Sequence, residues 1–322
     1  MIRLIGAELN RLASRRLTLI LVLAVIAVVA LFQVAVADAV TPPSPDEVAA
    51  AQQGFEQDHR DWEQNHEEWA QECLDDGGSA QDCAVAEPTA ADYGLVPTPF
   101  GSIAGSGVAF AVVLAMLASY LLAASFIGAE FSTGSIGNWL TFVPRRDKVY
   151  AAKVIAIAVG AAAIGILAGF SMLGLATVVT TAIGQPLTGA ADVAATAGRG
   201  VALVVFGALI GFCVALLTRH TVAALGVLVG YGLLWIGLQI ITGFIPAISR
   251  LKPWQLETNL QAFLRWGTDY EVYRRVVSAD GVGFDSVTRH LGFGAAAIYL
   301  TVVVIVLLVA TLLVFRRRDV TS

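Results

Sequence analysis

Histidine, cysteine, serine and acidic side chains are where covalent or metal chemistry would reside, and in this sequence none is spaced for a reaction. His66-Glu67-Glu68 is followed by Trp69 and Ala70, so the second histidine of a zinc-protease HExxH helix is missing. Ala104-Gly105-Ser106-Gly107 lacks the first glycine of the Gly-x-Ser-Gly used by intramembrane serine proteases, and His220 and His290 fall at the ends of apolar runs. His59 and His66 share a helical face but lie two turns apart, too far to clasp one ion, so no metal site is expected. Lys148, Lys153 and Lys252 follow Asp, Ala and Leu, which excludes a GxxxxGK[ST] phosphate loop. The chain is therefore not read as an enzyme by itself, and an ATP-driven process would need its nucleotide site on another polypeptide. One covalent feature is expected. Cys73 and Cys83 flank LDDGGSAQD, whose Asp-Gly-Gly turn lets the chain double back to the ~4.4–6.8 Å Cα separation of a disulfide. Cys213 lies within an apolar run and is expected to be a buried thiol.

The remaining polar chemistry is concentrated from Gly128 to Lys153, GAEFSTGSIGNWLTFVPRRDKVYAAK. This stretch holds Glu130 and then Arg145, Arg146, Lys148 and Lys153, whereas the flanking runs Tyr93 to Ala129 and Val154 to Ala191 carry no charge. Such a stretch must lie outside hydrocarbon, and its Lys/Arg excess argues for the cytosolic side. Gly134 and Gly137 loosen the end of the preceding run, Pro144 starts a turn, and Arg145 and Arg146 present a basic surface.

The elements that must position this stretch are membrane helices. Hydrophobic residues make up 57% of the 322, charged residues 14%, the net charge is −5, and the mean hydropathy is +0.74. A hydrocarbon core of roughly 30 Å takes about 20 apolar residues per helix, which gives six spans, at 17–37, 103–128, 154–182, 200–218, 221–245 and 291–315. Weakly alternating barrel strands are absent, so an all-α polytopic membrane protein is expected. An even span number puts both termini on one side. Twelve basic residues fall there against eight opposite, and six of those eight lie in one long loop, which is translocated largely regardless of charge. Both termini are expected in the cytosol and the chain in the bacterial cell membrane, with a cytosolic tail at 316–322.

Residues 1–16 place Ile2, Ile5, Leu9 and Leu12 at helical spacing among Arg3, Asn10 and Arg11, the pattern of an interfacial helix or of a basic segment that only orients the first span. Ala35-Val36-Ala37 resembles a signal-peptidase site, but the 21-residue run before it exceeds the ~7–15 of a cleaved signal, so it is read as a retained span. The first external segment, 38–102, is acidic, with fifteen acidic residues and only Arg60 as base between Asp38 and Asp92. After Pro42-Pro43-Ser44-Pro45 it reads as a long helix whose Phe55, Trp62 and Trp69 recur every seven residues, a stripe that wants a packing partner such as a second copy or the other external loop. That other loop, 246–290, is expected to form interfacial helices carrying Trp254, Phe263, Trp266, Tyr270 and Tyr273. Gly101 and Gly105, Gly165 and Gly169, Gly207 and Gly211, and Gly226 and Gly230 are spaced for close helix approach. The spans hold no ionisable side chain that would relay protons or bind a coupling ion.

The order Glu130-Phe131, then Gly134-Ser135, then Pro144-Arg145-Arg146 and finally Lys153 opening the next span resembles the ABC-2 family of transporter permeases. The opening GAELNRLASRRLTLILVL is similar to the entry of actinobacterial-looking members. Ser135 stands where threonine is commoner, and the acidic external insertion departs from the family's plan. The resemblance implies a six-helix, type V exporter-like permease fold whose segment 129–153 includes the coupling helix. It assigns ATPase coupling to Glu130, Phe131, Gly134, Pro144, Arg145, Arg146 and Lys148. It further implies a pair of separate ABC ATPase subunits that carry ATP and Mg, a second permease copy or related permease, and lipid but no nucleic acid as partner. The cargo expected for an uncharged pathway is hydrophobic or amphipathic: lipid, peptide or drug-like. The alternative is a non-transporting membrane assembly or sensing protein that acts through its external helix.

Overall fold

A computed structural model describes residues 1–41, 43–78, 83–96, 98–135, 145–278 and 281–317. Pro144 and Gly137 lie outside the described residues. Six of the described helices are long and apolar enough to cross a membrane, and the chain is about 80% helical, so the protein is an all-α polytopic membrane protein.

Helix α1 (Ile2–Ala13) is short and amphipathic, and α2 (Arg16–Val40) is the first spanning helix. Helix α3 (Pro45–Asp75) starts where its sequence dictates. Ser44 accepts from the Glu47 backbone N–H while the Glu47 carboxylate reaches back to Ser44, and Pro45 takes the first helical position. The Ser44 hydroxyl and backbone N–H both donate to the Glu47 carboxylate and hold it below the usual carboxylate range. After the Cys73–Cys83 disulfide, α4 (Phe100–Ser132), α5 (Arg146–Ala182) and α6 (Ala190–Thr218) form the packed centre.

The centre is tight because small residues let backbones meet. A side chain on Gly211 of α6 would be driven into the Tyr120 carbonyl of α4, and one on Gly165 of α5 would stand 3.1 Å from Val201 Cα of α6. The pair Gly226 and Gly230 behaves differently. It lies on α7 (Thr221–Phe244), a peripheral helix, and meets nothing within 4 Å. Helix α9 (Phe293–Arg317) closes the chain against α5, α6 and a short helix, α8 (Leu256–Arg265).

Helices α4, α5 and α6 overrun the apolar windows of 103–128, 154–182 and 200–218 at their charged ends. Counting apolar residues stops at the first charge, whereas the helical hydrogen-bond ladder continues wherever that charge finds a partner. The loop before α9 also differs from the helices expected there. It begins with a 3-10 helix, Pro246–Trp254, and α8 (Leu256–Arg265), then turns into an antiparallel hairpin of β1 (Gly267–Ser278) and β2 (Gly281–Gly292). Its β-branched and aromatic residues, such as Tyr270, Val272 and Val276, recur at period two among charges, which is a strand pattern. Trp266 ends α8 in the left-handed conformation at φ 68°.

Candidate functional site

At the end of the bundle where α1 lies, four charged side chains from three helices close a ring. Lys153 of α5 places Nζ 2.9 Å from Glu8 Oε1 of α1 and 2.7 Å from Glu130 Oε2 of α4. Arg11 of α1 closes it, with Nη2 at 2.9 Å from Glu130 Oε1 and Nη1 at 3.3 Å from Glu8 Oε2. Glu8, Glu130 and Lys153 are 0%, 1% and 3% exposed, and Arg11 reaches the surface. The ring carries two negative and two positive charges. Phe126, one turn before Glu130, lies beneath it with Lys153 Nζ 5.2 Å and Arg15 Cζ 4.7 Å from its ring centre, and Arg15 also donates to the Ser125 carbonyl.

Burying ions is expensive, and a closed neutral ring offsets that cost only while each member is present. The ring ties α1 to the end of α4 and the start of α5. Its members answer one another, so it serves as a structural tie.

The residues after Glu130 finish the helix. Thr133 Oγ donates to the Ala129 carbonyl at 2.8 Å, Ser135 Oγ to the Glu130 carbonyl at 3.4 Å, and Gly134 turns left-handed at φ 66°. Phe131 is half-buried under the Arg219 guanidinium, 5.7 Å from its ring centre. Beyond residues 136–144, Arg145 precedes α5 and is exposed, as is Lys148. Arg146 turns inward instead. Its Nη1 donates to the Phe315 and Arg316 carbonyls at 3.2 Å, a cation set on the C-terminus of α9, and the adjacent Asp147 pairs with Arg316 at 2.5 Å. Of the basic surface expected here, Arg145 and Lys148 face outward while Arg146 clasps α5 to α9.

The other expected residues lie in the insertion. Cys73 and Cys83 are joined, with Cα atoms 5.5 Å apart, and Gly78 must be glycine because a side chain there would meet Cys73 Sγ at 2.8 Å. The aromatic stripe of α3 finds cover within the insertion itself. Trp62 Nε1 donates to the Val85 carbonyl at 3.1 Å, Phe55 packs edge-on to Tyr93 at 5.7 Å, and the Tyr93 hydroxyl donates to Asp58. Trp69 stays 42% exposed. Among the described residues no cluster of three or more metal-ligating side chains occurs.

Over residues 4–320 the sequence matches the protein family described as "ABC-2 family transporter protein". The chain belongs to the ABC-2 transporter family. No curated protein and no solved structure matches it. Membership makes this ABC-2 permease a subunit of an ABC transporter, a multi-pass membrane transport component that associates with an ABC ATPase. Sequence reasoning placed Glu130 and Lys153 in the permease's coupling segment but missed their partner Glu8. A signal for it existed: Glu8 sits between Ile5 and Leu12 on the apolar stripe of α1, where an acid needs a buried cation.

Proposed function

We propose that this permease forms the export pathway for a hydrophobic or amphipathic substrate, and that ATP hydrolysis reaches it through the segment from Glu130 to Lys153. In this reading a second permease copy or related permease and two ATPase subunits complete the transporter, with ATP and Mg held by the ATPases. The chain lies in the bacterial cell membrane, and the α1 end faces the cytosol. The observation that carries the reading is the placement of exposed Arg145 and Lys148 at the start of α5, the helix clasped to α9 by Arg146 and to α1 and α4 by Lys153. A push on that helix start is transmitted to the bundle because its neighbours are held by charge. Glu130, Phe131 and Gly134 shape the segment's entry, while Arg145 and Lys148 supply the contact. The strongly apolar spanning helices suit a greasy cargo better than a polar ion.

Charge reversal separates this role from mere orientation of the protein. Arg145→Glu with Lys148→Glu is expected to leave insertion and topology intact while abolishing co-purification of the ATPase and substrate-stimulated hydrolysis. Unchanged co-purification and hydrolysis in a correctly inserted double variant would move the docking surface elsewhere, to α1 or the surroundings of Arg219.

A further inference from the structure

At the opposite end of the bundle the charges are not matched. Arg199 of α6 stands just before the apolar run 200–218 and is half-buried, a place where a guanidinium demands a reason. Its Nε donates to the Leu264 carbonyl at 2.8 Å and its Nη2 to Thr196 Oγ at 3.0 Å, which aim the group without neutralising it. Neither Arg199 nor Arg265 forms an ion pair among the described residues, in contrast to the closed ring at the other end.

Both arginines line one cavity of about 680 Å³ between α4, α6 and the end of α8. That volume lies within the roughly 300–1,000 Å³ of small-ligand sites. Asp192 is the single acid on its wall, so the two guanidiniums leave it net positive, and Ser106 and Thr196 add hydroxyls. Trp266 forms its lip. The indole is 63% exposed, lies against Arg199 at 5.5 Å and stacks on Phe293 at 4.3 Å. It is held in a left-handed backbone conformation that a bulky residue rarely adopts, a kind of strain that clusters where ligands are clamped.

We propose that this cavity binds the anionic head group of an amphiphile, with the half-buried Arg199 as the inner anchor, Arg265 as the outer cation and Trp266 as the aromatic rest for the start of the acyl chain. A half-buried guanidinium at the end of a span, fixed by two neutral acceptors, retains donors for an oxyanion, and a neighbouring indole suits the boundary between head group and chain. This goes beyond the export reading, because it concerns what the permease alone holds, with or without an ATPase.

The test is native mass spectrometry of the purified permease in neutral detergent, with phosphatidylglycerol and phosphatidylcholine of identical chains offered at equal concentration. The wild type is expected to retain phosphatidylglycerol selectively. Arg199→Gln should lower that retention about tenfold or more, the loss of a charge-assisted contact. The exposed Arg265→Gln should lower it about two- to fivefold. Arg199→Lys should keep most of it, and Arg275→Gln, on the hairpin outside the cavity, should change nothing. Excess inorganic phosphate identifies the source: displacement of the lipid means that the free anion suffices, and no displacement means that the chains are needed. Equal retention of the two lipids by the wild type, or a loss in Arg275→Gln as large as in Arg265→Gln, would overturn the proposal. If Arg199→Gln fails to fold, Arg265→Gln decides, and undiminished phosphatidylglycerol retention there overturns it as well.

Discussion

Removing Lys153 should unlatch α1 while leaving the central helices packed. In Lys153→Met the side chain keeps its length and apolar stem, but Glu8 and Glu130, each within 3 Å of the lost ammonium, are left with Arg11 as the cation paired to both among the described residues. Breaking a buried ion pair by deleting one partner costs about 3–5 kcal/mol. Arg11 still contacts both acids and is about one-third exposed, which puts the cost toward the lower figure, ~3 kcal/mol. That corresponds to roughly a hundredfold shift in the docking equilibrium of α1. Hydrogen exchange of the detergent-purified protein reads it directly: amides of α1 should exchange on the order of a hundredfold faster, with α6 unchanged. The double variant Glu8→Gln with Lys153→Met leaves the neutral pair Glu130 and Arg11, so it should recover a substantial part of the loss, a sign of coupling that two independent sites would not give. Unaltered α1 exchange in Lys153→Met, or a double variant worse than the sum of its singles, would refute the ring as the tie.

Two further outcomes concern the insertion. Reduction, or Cys73→Ser with Cys83→Ser, should cost about 3 kcal/mol of local stability for a closed loop of this length, seen as faster hydrogen exchange in residues 84–95 while the spanning helices are unaffected. Tyr93, whose hydroxyl donates to Asp58, should ionise near 12 instead of 10, measured as the difference in alkaline ultraviolet titration between wild type and Tyr93→Phe. Because the folded-state value is raised, the contact is fully present below pH 10 and is lost as pH rises through about 12.

Much of this was legible in the residues. Uncharged runs of about 20 or more could only be spans, and the two cysteines around Gly77-Gly78 could close. The Ser44-Pro45-Asp46-Glu47 start of α3 is written in its capping chemistry. What escaped depends on contacts distant in sequence. The partner of Lys153 is 145 residues away, and no local pattern pairs Glu8 with it. Arg146 looks like any loop arginine until the end of α9 is brought beside it. The stripe of α3 announces that it needs cover but not that residues 83–95 supply it, since that choice is made by the disulfide and the Tyr93 contact. In the loop before α9, aromatics among charges suit an interfacial helix and a strand alike, and the left-handed Trp266 with Gly267 decides for the hairpin.

The central claim, that the ATPase drives this permease through the start of α5, is tested most directly by contact. A photo-reactive amino acid placed at Lys148, and for comparison at Thr196 near the opposite end, should be irradiated in the assembled transporter. A covalent adduct with the ATPase from position 148 and none from position 196 is the predicted result. An assembled, ATP-hydrolysing complex that gives no adduct from 148 would contradict it.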